Sequence, residues 1–199
     1  LNASFRGRRF VRTVNLIPCA IPTVVAAIGF RWFFDEQYGM FVDLVYRLSG
    51  ERWQILVDPW GARLAVIAAN VWKNTPLLAI ILLAGLQGVP RELYEAAVLD
   101  GATGWQSTRY VTLPFCATLL STLGMFFVIW HLGSFDLVYG MTQGGPGTAT
   151  SVVSYRILQL AMLWFNYGMA SALSVVLFGI VALVGLVGAR LLSRYQVEL

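Results

Sequence analysis

Residues 92–114 read ELYEAAVLDGATGWQSTRYVTLP. The stretch separates two long apolar runs, 64–87 and 114–132, and sets three acids, two glycines and a proline between them. Local signals make it two short helices with a hinge. Pro90 suits a first helical turn, where its missing N–H costs nothing, and Glu92 in that turn faces the positive end of the helix dipole. The first helix is expected to run to about Asp100. Gly101 offers the left-handed conformation on which helices end, and 102–111 can form a second short helix before Pro114 opens the next run. Ala96 and Ala97 leave a smooth strip for close packing. What packs there is either a layer of lipid headgroups, under an amphipathic helix pair, or another protein.

Hydrophobic residues make up 58% of the 199 and charged residues only 12%, against roughly 25% charged in a soluble domain. The mean hydropathy is +0.69. This is the composition of a membrane protein. The net charge of +4 comes from basic residues scattered in ones and twos, so no nucleic-acid patch is expected. Four runs, 12–34, 64–87, 114–132 and 168–190, reach the roughly 20 residues that cross a hydrocarbon core. The fold class is therefore all-α, a polytopic bundle of transmembrane helices. Pro18, Pro22 and Pro76 fall within spans and Pro114 begins one. Each mid-span proline frees a carbonyl one turn back, which neighbours or water must satisfy.

Basic residues near span ends set the orientation. Arg6, Arg8, Arg9 and Arg12 precede the first span, Arg91 and Arg109 lie between the second and third, and Arg190 and Arg194 follow the last. Alternating spans put all of these on one side, so loop 88–113 is expected in the cytoplasm and segments 35–63 and 133–167 outside. The latter holds Thr142-Gln143-Gly144-Gly145-Pro146-Gly147, which requires a non-helical turn. Cys19 and Cys116 sit in apolar runs and are expected to stay free thiols. The chain opens on Leu1 without an initiator Met or a signal-peptide layout, so it is expected to be the later part of a longer protein.

Glu95-Ala96-Ala97, three residues, Gly101, nine residues, then Val111-Thr112-Leu113-Pro114 resembles the EAA motif of ABC importer permeases, E-A-A-x3-G-x9-I-x-L-P. Val111 in place of Ile is the one departure. Asn15-Leu16-Ile17-Pro18, Trp72-Lys73-Asn74-Thr75-Pro76, Phe135-Asp136-Leu137-Val138-Tyr139 with Thr142-Gln143-Gly144-Gly145-Pro146, and Tyr167-Gly168-Met169-Ala170-Ser171-Ala172 are similar to the carbohydrate-uptake branch, that of the maltose and glycerol-phosphate permeases. The resemblance implies the type I, maltose-permease-like fold, usually with more core spans than the four visible here, in a bacterial or archaeal inner membrane. It also implies that loop 88–113 enters a cleft on a cytoplasmic ATPase. Glu92 and Glu95 would then meet polar groups there, Ala96 and Ala97 give close contact, and Gly101 permits the bend. The implied partners are a second permease subunit, an ATPase dimer that binds ATP and Mg, an extracytoplasmic substrate-binding protein, and a sugar or polyol substrate.

The chain itself carries no nucleotide chemistry. A P-loop needs G-x-x-x-x-G-K-[ST], and the single lysine, Lys73, follows Ala68-Ala69-Asn70-Val71-Trp72. No metal-ligand cluster and no nucleophile elbow are present in the sequence, so neither an enzyme nor a bound cofactor or metal is expected of this chain. Lys73 falls mid-span, where a cation costs roughly 3 kcal/mol unless paired or watered. It shares a helical face with Asn70 and Asn74. That face either lines a solute path, or Lys73 bonds the carbonyl freed by Pro76 or holds a partner subunit. Asn70 and Asn74 remain path candidates in each case.

The end of the third span is the other candidate for the path, because Ser134, Phe135, Asp136 and Tyr139 interleave polar groups with aromatics as a sugar requires. Asp136 is equally an N-cap or a salt-bridge partner. His131 is expected as a hydrogen-bonded interfacial residue rather than a proton relay. Ala170 with Ser174 and Gly185 with Ala189 form small pairs suited to tight helix contacts. An ion-coupled secondary transporter is the alternative reading; it would favour acids or histidines at mid-membrane, and Asp136 is the one acid near a span.

Overall fold

The computed structural model describes residues 8–195; Arg6 lies outside them, as do the side chains of Arg8, Arg9, Arg12 and Arg194. In order, the helices are α1 (Arg8–Ala20), α2 (Thr23–Phe33), α3 (Met40–Ser49), α4 (Pro59–Gln87), α5 (Arg91–Leu99), α6 (Gly104–Ser107), α7 (Leu113–Gly133), α8 (Asp136–Met141), α9 (Val153–Leu158) and α10 (Tyr167–Tyr195). Single π-helical turns occupy Thr108–Thr112 and Gln159–Leu163. Helices long and apolar enough to cross a membrane cover Pro59–Gln87, Gly104–Gly133 and Tyr167–Arg190.

The first expected span is not one helix. Thr13–Ala20 and Thr23–Phe33 meet at 100°. Two prolines four residues apart cause the break. Pro22 has no N–H to offer the Pro18 carbonyl, and its ring pushes Ile21 out of the helical region. Pro22 becomes the extended residue in front of α2, at φ −55° and ψ 139°.

The second helix of loop 88–113 also differs from expectation. It does not stop before Pro114, because α6, the π-turn and α7 form one 30-residue rod. The N–H of Leu113 bonds the Thr108 carbonyl, five residues back. That shift in the ladder falls immediately before Pro114, so the missing N–H is absorbed without a kink. The rod starts on a capping box, in which Thr103 and Gln106 each accept the other's backbone N–H.

Small residues let α2, α4 and α8 converge. Ala27 and Ala69 are fully buried, and with Ala65, Phe34, Leu137 and Met141 they form the core where these helices meet. A Cβ on Gly140 of α8 would lie 2.5 Å from the Ala27 Cβ, so α8 can sit on α2 only with glycine there. Phe30 meets Trp72 edge-on at 5.2 Å. Across the bundle, Gly185 of α10 faces Ile129 of α7, and Gly188 lies against the Met125 thioether. Ala170 is buried, and Ser174 donates back to its carbonyl at 2.8 Å.

The connections at the end of the bundle opposite α5 are locally stitched. Asp58 accepts the Gly61 N–H at 2.6 Å and Pro59 opens α4. The turn after α8 has positive φ at Gln143, Gly144 and Gly147. The Thr150 hydroxyl closes it, donating to the Gly145 carbonyl at 2.8 Å and meeting the Thr142 hydroxyl at 2.6 Å.

Candidate functional site

The segment that resembles a coupling loop folds as a rigid elbow. Pro90 precedes α5 and Glu92 lies in its first turn. At the other end, Ala102 donates its N–H to the Ala97 carbonyl and Gly101 donates to Val98, with Gly101 at φ +73°. This is the Schellman ending that satisfies a helix's last carbonyls, and its left-handed residue is the glycine of the motif. The Tyr94 hydroxyl and the Thr112 hydroxyl, 2.8 Å apart, fasten α5 to the π-turn that leads into α7.

The outward face of α5 differs from the predicted alanine strip. Ala97 is buried against its own chain while Ala96 is exposed, because the elbow folds back over one side of the helix. Glu92 and Glu95 are exposed, and neither makes a hydrogen bond or ion pair among the described residues. Leu99, one turn beyond Glu95, is 88% exposed, and Trp105 is 72% exposed. The i, i+4 spacing puts Leu99 on the face of Glu95 already in the sequence; nothing in it exposes Trp105.

A second polar constellation lies between α4 and α7. The Lys73 ammonium donates to the carbonyl of Pro18 at 2.6 Å, to that of Ile21, and to that of Cys19 at 3.5 Å. It therefore caps the break in the first span, and the carbonyl it serves is the one freed by Pro22 rather than by Pro76. Asn74 donates to both the backbone and side-chain oxygens of Asn70. The His131 Nδ1–H donates to the Phe127 carbonyl at 2.7 Å, and Nε2 lies 2.9 Å from Asn70 Oδ1. With Nδ1 as the donor, Nε2 is an acceptor, and the donor that faces it is the Asn74 amide nitrogen at 3.4 Å. His131, in the last turn of α7, is hydrogen-bonded as expected, and its contacts bridge α7 to α4.

Asn70, Asn74 and His131 border two cavities. One, of about 260 Å³, also takes Lys73, Trp130, Ser134 and Asp136 into its wall; the other, of about 300 Å³, is mostly apolar. Four of the path candidates, Asn70, Asn74, Ser134 and Asp136, are therefore brought together. Phe135 and Tyr139 are not on that wall. Phe135 is half-buried ahead of α8, and the Tyr139 ring turns toward Tyr155 at 6.2 Å. Asp136 neither caps a helix nor forms an ion pair among the described residues, since Phe135 takes the cap position. Trp130 was missed in the sequence, although Trp130, His131 and Ser134 stand at i, i+1 and i+4 and share one helical face.

A wider cleft of about 570 Å³ opens beyond α2, between Arg31, Asp35, Glu36 and the Gly145-Pro146 turn. The Gln37 and Tyr38 N–H groups both donate to the Asp35 carboxylate at 2.9 Å. The Tyr38 and Gln37 bonds hold that carboxyl below its usual value, and Arg31 adds to the effect. Among the described residues, no group of three His, Cys, Asp or Glu side chains is placed to hold a metal.

Comparison with known proteins matches residues 1–196 to the family described as the binding-protein-dependent transport system inner membrane component. The trehalose/maltose transport system permease protein of Thermococcus litoralis is 37% identical over 184 residues, covering 91% of this chain and 61% of that protein. The sulfoquinovosyl glycerol transport system permease protein of Agrobacterium fabrum is 37% identical over 179 residues, covering 90% and 58%. The chain thus spans about three fifths of the length of these relatives. In fold it is similar to a bacterial ABC transporter involved in the import of the acidic polysaccharide alginate, with a TM-score of 0.85, 24% identity, and coverage of 98% of this chain and 69% of that one. The chain belongs to the family of inner-membrane components of binding-protein-dependent transport systems.

Proposed function

We propose that this chain is the membrane-spanning permease subunit of an ATP-driven ABC importer, and that it forms part of the path for a sugar or related polyol. The observation that carries the reading is α5: an exposed, unpaired Glu95 on a helix locked to the next span through Gly101 and the Tyr94–Thr112 bond. Such a helix transmits displacement, whereas a flexible tether would dissipate it. On this reading Glu92, Glu95, Ala96 and Leu99 meet a separate cytoplasmic ATPase, which binds ATP and Mg. Its closure shifts α5, the rod from Gly104 to Gly133 follows, and His131 at the rod's far end moves relative to Asn70 of α4. A second permease subunit completes the path, and an extracytoplasmic binding protein delivers the solute. The setting is the inner membrane of a bacterium or archaeon.

The test is reconstitution of the assembled importer in liposomes, with ATP hydrolysis and solute uptake measured together. Glu95→Ala and Gly101→Pro are expected to separate the two, leaving hydrolysis without uptake. Normal uptake by Gly101→Pro overturns the proposal. So does uptake that needs no ATP and collapses with an ionophore, which is the behaviour of an ion-coupled carrier.

A further inference from the structure

We propose that the polar seam between α4 and α7 admits neutral saccharides and rejects anionic ones, a selection that rests on the seam's assignment above as solute path. The two relatives do not choose between these classes. One is named for trehalose and maltose, which are neutral, the other for a sulfonated glycoside, and both are 37% identical to this chain.

The state of Lys73 makes the choice. Its ammonium is the only permanent cation among the described residues on the wall of the seam's polar cavity; the carbonyls of Pro18 and Ile21 accept from it, and that of Cys19 stands at 3.5 Å. An ammonium has three N–H donors, and these three carbonyls lie where all of them point toward the bend rather than the cavity. A phosphate, sulfonate or carboxylate entering the cavity would be an anion out of bulk water without a cation turned toward it, which is unfavourable. Recruiting Lys73 would mean breaking the bonds that hold the bend of the first span.

The other wall groups fit a different ligand. The Asn70 and Asn74 amides, the Ser134 hydroxyl and the His131 ring match sugar hydroxyls, and the Trp130 indole adds aromatic surface of the kind a pyranose ring packs against. Asp136 opens on the same cavity with no ion pair among the described residues. Its carboxylate accepts hydroxyl hydrogen bonds and repels anions. At the wider cleft, Arg31 stands beside both Asp35 and Glu36, so that mouth does not concentrate anions either.

The experiment measures equilibrium binding to the assembled importer, purified with its partner permease and ATPase, using matched pairs of probes: trehalose and trehalose 6-phosphate, maltose and maltose 1-phosphate, glucose and glucose 6-phosphate. The neutral member of at least one pair is expected to bind, with its phosphorylated counterpart weaker by at least about tenfold. Asp136→Asn is expected to narrow that gap, and Asn74→Lys, which adds an ammonium not tied to the bend, to reverse it. Equal or tighter binding of the phosphorylated member by the unaltered importer overturns the selection while leaving the path assignment standing. An unchanged gap in both variants also overturns it. Binding of no member of any pair overturns the path assignment, and this proposal with it.

Discussion

The ammonium nitrogen of Lys73 lies 2.6 Å from the carbonyl oxygen of Pro18, the acceptor that Pro22 leaves empty because it has no N–H. A charge that looked costly at mid-membrane is thereby neutralised by the carbonyl ends of a broken helix, which carry partial negative charge. Lys73→Met strands these carbonyls, and each buried polar group left unpaired costs about 1–3 kcal/mol. The purified complex is expected to melt at a lower temperature. Adding Pro22→Ala to Lys73→Met restores an N–H four residues after Pro18 and should recover part of the loss. Unaltered melting of Lys73→Met would show that the bend needs no clamp.

Gly101 at φ +73° has nothing within 4 Å of where a Cβ would sit, so its constraint is conformational rather than steric. Gly101→Ala should cost about 1–2 kcal/mol, the left-handed penalty for an L residue, and slow uptake only in part. Gly101→Pro cannot reach positive φ and also lacks the N–H that bonds Val98, so it should abolish uptake. Initial uptake rates of the two variants at matched membrane abundance check the order.

How much of this was legible in the sequence follows from what each signal encodes. Apolar run length reports span existence, and α4, α7 and α10 each contain the expected run 64–87, 114–132 or 168–190 without its true ends, since α4 begins at Pro59 and the rod of α7 at Gly104. Glycine at the motif position reports backbone geometry, and the hinge at Gly101 follows from it. Proline reports only a missing N–H, so Pro18 and Pro22 announce a fault without its size, the 100° bend, and without the ammonium that meets the Pro18 carbonyl from 55 residues away. The π-turn that lets the rod run through Pro114 leaves no mark on hydrophobic periodicity. The position of His131 along the chain says nothing of its partner Asn70, 61 residues earlier.

The Asp35 carboxylate, at the mouth of the wider cleft, is held below its usual value first by the Tyr38 N–H and then by that of Gln37. A lowered folded-state value means that this turn is fully stabilised above the ordinary carboxylate range. The stabilisation is lost only as pH falls through the lowered value. Amide exchange at Gln37 and Tyr38 should therefore stay slow across neutral and mildly acidic pH and quicken only in stronger acid. Asp35→Asn removes the acid-dependent step, because an amide oxygen accepts these bonds without titrating.

Gly140 tests the close approach of α8 to α2. Helix propensity alone favours Gly140→Ala by about 1 kcal/mol. Contact with the Ala27 Cβ at 2.5 Å opposes it, and overpacking of a tight core costs about 1–3 kcal/mol. The substitution is expected to destabilise the complex on balance. Ala27→Gly in the same chain should return it toward the original melting temperature, an outcome that propensity cannot produce. Stabilisation by Gly140→Ala alone would mean that α8 is free to lift from α2.

His131 and Asn70 form a polar contact, at 2.9 Å, between the rod leading from α5 and α4. If the bridge both lines the path and joins the two helices, the residues must act as a unit. His131→Ala and Asn70→Ala should each weaken uptake mainly through a higher KM, because each removes donors and acceptors from the cavity wall. Removing either leaves the other's polar atoms without their interhelical partner, so the double variant should cost less than the sum. Contacting residues in one hydrogen-bonded network show coupling of about 0.5–3 kcal/mol. A double-mutant cycle on KM, with membrane abundance and ATP hydrolysis measured in parallel, reads this directly. Strict additivity would separate the two residues and leave α4 and α7 joined by packing alone. A fall in ATP hydrolysis matching the loss of uptake would place the bridge in signal transmission instead of solute contact.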